Sequence, residues 1–117
     1  MDHLLERATA LGQEIANDER VKALVSARQD IEKDTEAQQL VRDHSEIVER
    51  IAKLKQAQKP IEPGDKRKLA ECEASMAAHA LFKRLLKAQA NYLELMNRVH
   101  HALEAPLIEA TEATGGA

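Results

Sequence analysis

Few residues in this chain could do chemistry by themselves. There is one cysteine, Cys72, and it falls between Leu69 and Met76 on an apolar helical line. That is the setting of a small buried hydrophobe, not of a reactive thiolate, which needs a cationic and exposed neighbourhood. A single cysteine also excludes an internal disulfide and any multi-cysteine metal motif within one chain. The five histidines are His3, His44, His79, His100 and His101. No two of them share the i, i+4 spacing that lets two imidazoles hold one metal ion on a helix face. His100 and Glu104 have that spacing, but one imidazole and one carboxylate are half of a site. No bound metal and no cofactor are therefore expected. His44 lies on an apolar line and reads as a polar seam residue. Glycine-rich phosphate loops, a nucleophile elbow and a convergent carboxylate pair are all missing, so catalysis is not expected.

Charge gives a second set of candidates. Lys66-Arg67-Lys68 forms one basic cluster, and Lys83-Arg84 with Lys87 forms another. Either is a solvated helix face, or a patch for nucleic-acid phosphates or an acidic protein. The formal net charge of −3 provides no global field toward nucleic acid or anionic lipid, which makes a nucleic-acid partner the less favoured reading. The N-terminus carries acids where a secretion signal needs a basic end and an apolar core, and no apolar run is long enough to span a bilayer. The expected address is the cytoplasm.

The elements that position these residues are helices. Charged residues make up 32% of the chain and aromatics 2%, a composition of long amphipathic helices. The strongest pattern is Leu81 to Leu103. Phe82, Leu85, Gln89, Tyr92, Met96, Val99 and Leu103 recur at alternating steps of three and four, an a/d seam over three heptads. Leu86 and Leu93 widen it on one flank, beyond what a two-stranded seam needs. A second seam runs through Leu40, His44, Ile47, Ile51 and Leu54, flanked by Val41 and Val48.

The breaks divide the chain into helices near 2–16, 18–33, 35–58, 63–78 and 80–104. Asn17-Asp18 interrupts the first stripe and offers capping oxygens. The second helix shows Val21, Leu24, Val25, Arg28 and Ile31, with Arg28 expected to snorkel. Thr35 with Gln38 fits a capping box, and Asp34 fits an N-cap equally well. Lys59-Pro60-Ile61-Glu62-Pro63-Gly64 cannot continue a helix, and Pro63 suits the first position of the next. So short a connection makes the flanking helices antiparallel neighbours. Only a slip of phase separates the fourth helix from the fifth, which predicts a kink or tight turn at 77–80, or one continuous helix. Ala105-Pro106 is expected to bend or end the last helix. The organisation predicted is a single all-α domain over 1–106, a bundle of about five helices with two long antiparallel ones, and a flexible tail at 107–117.

Large apolar residues are few, so a lone copy would have a thin core. A homodimer or larger assembly built on the two long helices is expected, with Tyr92, Met96 and Val99 at the contact and Gln89 setting register.

The segments ALGQEIANDERVKAL, ARQDIEKDTEAQQLVRD, QKPIEPGDKRKL and FKRLLKAQANYLELMNRVHHAL, in that order, resemble the YlbF/YmcA family of small bacterial helical proteins, which includes YheA-like members. Ala88-Gln89 followed by Tyr92 is similar to the family's last helix. The likeness spans His3 to Leu103. It implies an all-helical, dimeric or higher cytoplasmic protein that acts by binding partners. Some members join a complex that modulates a membrane-anchored ribonuclease and so affects RNA processing, competence, biofilm formation and sporulation. That complex is associated with iron–sulfur clusters held by cysteines. This chain departs there, because Cys72 stands alone. The function expected is a non-enzymatic adaptor or regulator. The alternatives are an RNA- or DNA-binding protein using its Lys/Arg helix faces, or a coiled-coil spacer.

Overall fold

The computed structural model describes residues 2–115. Five helices account for nearly all of them: α1 Asp2–Ala16, α2 Glu19–Lys33, α3 Thr35–Gln56, α4 Pro63–Ala78 and α5 Ala80–Gly115. Among the described residues there is no strand. The helices divide into two units, one formed by 25–86 and the other by 1–24 with 87–117.

The 25–86 unit owns the core. Ile31, Ala37 and Phe82 are buried together, with Leu40, Val41, Met76, Leu81 and Leu85 packed around them. Ala37 is fully covered at 0% exposure, so a small side chain marks where helices approach most closely. The buried line of α2 in this unit is Ala27 and Ile31. Val25 and Arg28, expected on that face, are exposed. Alanine carries too little apolar signal to be picked over valine from sequence, yet close packing favours it.

Local chemistry explains each start and stop. Asp34 caps α3: the Ala37 N–H donates to its Oδ1 at 2.8 Å. The Thr35–Gln38 box does not form; Gln38 Nε2 donates instead to the Ile31 carbonyl at 3.0 Å. The end of α3 comes two residues before the expected 58. Gln58 takes the left-handed conformation with φ 57°. The Lys59 N–H donates to Leu54 O at 2.9 Å and the Gln58 N–H to Lys55 O at 3.1 Å, the paired bonds of a Schellman stop. Glycine normally fills that position, and its absence hid the stop.

Pro63 opens α4 as expected. Asp65, in its first turn, is 5% exposed and accepts a bond from Arg50 Nε of α3 at 3.0 Å. Arg50 also faces Glu62 at 3.8 Å. These contacts pin the start of α4 beside the last turns of α3. At the far end of the pair, His44 Nε2 lies 3.8 Å from Glu73 Oε1.

The phase slip at 77–80 is a real break. His79 is extended (φ −78°, ψ 129°), and α5 begins at Ala80. Its Nδ1 accepts the Leu81 N–H at 3.2 Å, and its ring meets Phe82 edge-on at 5.5 Å. Arg84 anchors the first turns of α5 to α2, pairing with Asp30 and donating to Ser26 Oγ at 3.3 Å.

In the other unit, Asp18 caps α2. The Arg20 N–H donates to Asp18 Oδ1 at 2.8 Å, and the guanidinium grips the same carboxylate at 2.9 and 3.1 Å. The largest correction is the length of α5. It continues through Pro106 to Gly115, a 36-residue helix, where an end near 104 was expected. Proline removes one backbone donor and crowds the carbonyl one turn earlier. Leu103, Glu104 and Ala105 before it, and Leu107 to Ala110 after it, are mostly strong helix formers, and the helix runs on. The Thr111 hydroxyl bonds back to the Leu107 and Ile108 carbonyls at 3.0 Å. Of the tail expected to be flexible, residues 116 and 117 lie outside the described residues.

Candidate protein-interaction surface

The seam of α5 is covered unevenly. Phe82 is buried, and Leu85, Gln89, Tyr92, Met96 and Val99 are half-buried. Ala88 is buried as well, one step beside the seam. The four residues expected at a contact between copies, Gln89, Tyr92, Met96 and Val99, thus lie along one line of α5, each partly covered within its own chain and partly open.

What sequence reasoning did not single out is how much apolar surface stays open beyond them. In the unit formed by 1–24 and 87–117, Leu93 is 58% exposed, Leu103 53% and Leu107 64%, and Ile108 is exposed too. Leu93, His100 and Leu107 follow at steps of seven, so they share one line of the helix, next to the line of Met96 and Leu103. Every residue from 100 to 113 is exposed. No residue of α1 is buried, and Leu4 and Leu5 are exposed. The signal for this was present in the flank of Leu86 and Leu93, both more than half exposed, but sequence could not say whether the chain would cover it.

Electrostatics moves Asp18 and the Cys72 thiol in opposite directions. Hydrogen bonds from Arg20 hold the Asp18 carboxyl at about 2, from an ordinary 3.8. The same bond raises Arg20, and the Glu94 carboxylate on α5 adds to it. Glu94 in turn accepts from Arg98 at 2.9 Å. Cys72 is half-buried, not fully buried as expected. Its thiol points at the Leu40 carbonyl, 3.6 Å from Sγ. Burial pushes its pKa up, and the charges of Asp43 and Glu73 push the same way, so it stays a thiol at neutral pH. It lines a cleft of about 450 Å³ between α3 and α4 with Leu40, Ile47, Arg50 and Lys68. Among the described residues, no group of three or more His, Cys, Asp or Glu side chains could hold a metal ion, and no helix is long and apolar enough to cross a membrane.

The sequence pattern of the family described as "Control of competence regulator ComK, YlbF/YmcA" matches residues 4–108. The chain belongs to the YlbF/YmcA family. The match reaches past the expected helix end at 104 and over most of α5. Among solved structures, the chain is similar to Bacillus subtilis RicA, whose crystal structure is of a complex with RicF. The TM-score is 0.82 at 17% identity, over 92% of this chain and 96% of that one. At that identity the likeness speaks for the fold. Among curated proteins none matches. This YlbF/YmcA member is thus all-helical, as expected, and comes from a family of regulators.

Proposed function

We propose that this YlbF/YmcA protein is a non-enzymatic adaptor that regulates by binding other proteins, and that it works as a homodimer or larger assembly. The observation that carries this is the open apolar line on α5. Leu93, Leu103, Leu107 and Ile108 are each more than half exposed, a concentration that a monomer in water tolerates poorly. Met96 and Val99, half-buried beside them, extend the same surface toward Tyr92 and Gln89. A helical partner presenting its own stripe can cover it, and a second copy can do so by two-fold symmetry. That RicA was crystallised with RicF supports a protein partner for this fold. The family description points to competence control as the process regulated, and the cytoplasm is the compartment that fits.

Light scattering at micromolar concentration tests the assembly. The unmodified protein is expected at twice the monomer mass or more. Leu103→Lys with Leu107→Lys should release monomers with unchanged helical circular dichroism, because each lysine would have to be desolvated at the contact. Met96→Lys with Val99→Lys should do the same at some cost to folding. A monomer mass for the unmodified protein, or an assembly indifferent to both pairs, refutes the reading.

A further inference from the structure

The charge of the chain is segregated, and its overall −3 conceals this. Residues 50–68 hold seven basic residues, Arg50, Lys53, Lys55, Lys59, Lys66, Arg67 and Lys68, against two acids, Glu62 and Asp65. The rest of the chain has ten basic against eighteen acidic residues. Both acids of the stretch face Arg50, and Lys53 pairs with Glu49. Lys55, Lys59, Lys66, Arg67 and Lys68 are exposed and take part in no ion pair among the described residues. The Arg50–Asp65 bond brings the start of α4 against the last turns of α3, so these five cations gather at one end of the helix pair. There Arg50, Lys53 and Lys59, together with Glu46 and Glu49, rim a cleft of about 530 Å³.

Lys53 and Lys55 have an ordinary reason to be there, since cations suit the negative end of α3. Lys66, Arg67 and Lys68 have the opposite placement. They follow the first turn of α4, which holds Asp65, so the helix dipole gives them no such support. Lys68 shares a cleft with the carboxylates of Asp43, Glu46 and Glu71 without an ion pair to any of them. Exposed cations that pair with no carboxylate among the described residues are suited to an anion from outside. Its make-up narrows the class. Protein contacts favour Arg and aromatics and are poor in lysine. This stretch has no aromatic residue and is mostly lysine. Flexible, solvated lysines neutralise phosphates by releasing counterions and read no sequence.

We propose that the α3–α4 end binds the phosphate backbone of a nucleic acid without sequence preference. This is independent of the adaptor reading and uses a different surface. Fluorescence anisotropy of the full chain with labelled 20-nucleotide oligo-U RNA and oligo-dT DNA tests it. Five unpaired cations predict a log–log salt slope of about −3 to −4 on single strands, a loss of roughly 100-fold between 50 and 200 mM salt. Lys66→Gln/Arg67→Gln/Lys68→Gln should weaken binding more than tenfold at 50 mM and flatten the slope by about 2. Lys83→Gln/Lys87→Gln, at the other basic cluster, should change it less than twofold, with circular dichroism unchanged in both variants. RNA and DNA should bind within about threefold of each other. No binding at 25 mM salt, a flat slope, equal loss in the two variants, or a tenfold preference for one nucleic acid would overturn the proposal. So would binding to phosphatidylglycerol vesicles without binding to either oligonucleotide.

Discussion

Phe82 and Leu107 stand on the same helix, Phe82 on its heptad seam and Leu107 beyond the helix end that the sequence pattern predicts. Phe82 is buried against Ile31 and Ala37, and its ring also meets His79. Leu107 is 64% exposed, and the residues around it are exposed as well. The 25–86 unit covers Phe82 with side chains from three other helices, while Val25, Val48 and Leu86 stay exposed. The last third of α5 covers none of its own. In a protein built this way, stability and association should respond to different mutations.

The sharpest break of that comparison is Phe82→Ala against Leu107→Ala. The first removes the largest buried side chain of the core and should cost about 3–4 kcal/mol. In a protein of this size that is a large share of the total. The second should stay within about 0.5 kcal/mol when protein is dilute. At high concentration it should lower apparent stability through weakened association. Urea denaturation at two protein concentrations separates the two. Equal losses at both positions, independent of concentration, would show that the two regions do not differ in kind.

A smaller effect probes what holds the folded unit together. Asp65 is a buried carboxylate whose Oδ1 takes the Arg50 bond, while its Oδ2 has no hydrogen-bond partner within the described protein. Removing one side of such a pair leaves the other uncompensated. Arg50 is more than half exposed and can re-solvate, so Asp65→Ala should cost about 1–3 kcal/mol, less than a fully buried pair. Arg50→Ala should be comparable, since it strands the buried carboxylate. A double-mutant cycle should show the two losses overlapping by about 1 kcal/mol or more. Simple additivity would mean the contact does not clamp α4 to α3.

These contrasts also mark what sequence could say. Helix starts carried by side-chain chemistry were legible: Pro63 opening α4, and an oxygen of Asp34 or Thr35 opening α3. The break before Ala80 was legible from phase alone. The stop of α3 was read from Lys59–Gly64 but two residues late, because a left-handed Gln58 leaves no mark that glycine would. The Arg50–Asp65 clamp joins residues on two helices, and no local pattern points from one to the other. Ala27 was missed in favour of Val25 because hydrophobicity is visible in sequence and close approach is not. On the α5 surface, the expected Gln89, Tyr92, Met96 and Val99 line is there, half open. Leu103 was on the expected seam as well; that Leu107 and Ile108 continue it was lost by ending the helix near 104.

The mildest test compares Asp65 with Asp18, the aspartate at the start of α2. Asp18 does its work in water, where Arg20 donates to it through the backbone and the guanidinium. Its folded pKa, about 2, lies below the ordinary 3.8. A carboxylate depressed on folding stabilises the protein above its unfolded pKa, and the contribution fades as pH falls through the folded value. The window is therefore about pH 4 down to 2. Above it, the Asp18 contribution is fully present and does not vary with pH. Carbon-detected titration of the Asp18 carboxyl should place its midpoint near 2, and Asp18→Asn should remove this part of the acid sensitivity. Because the pair is solvent-exposed, 0.5 M salt should move the midpoint back toward 3.8. A midpoint already near 3.8 at low salt would mean the Arg20 grip does not persist in solution. Asp18 would then cap α2 as any lone aspartate does, and the buried clamp at Asp65 would be the stronger of the two anchors by a wider margin.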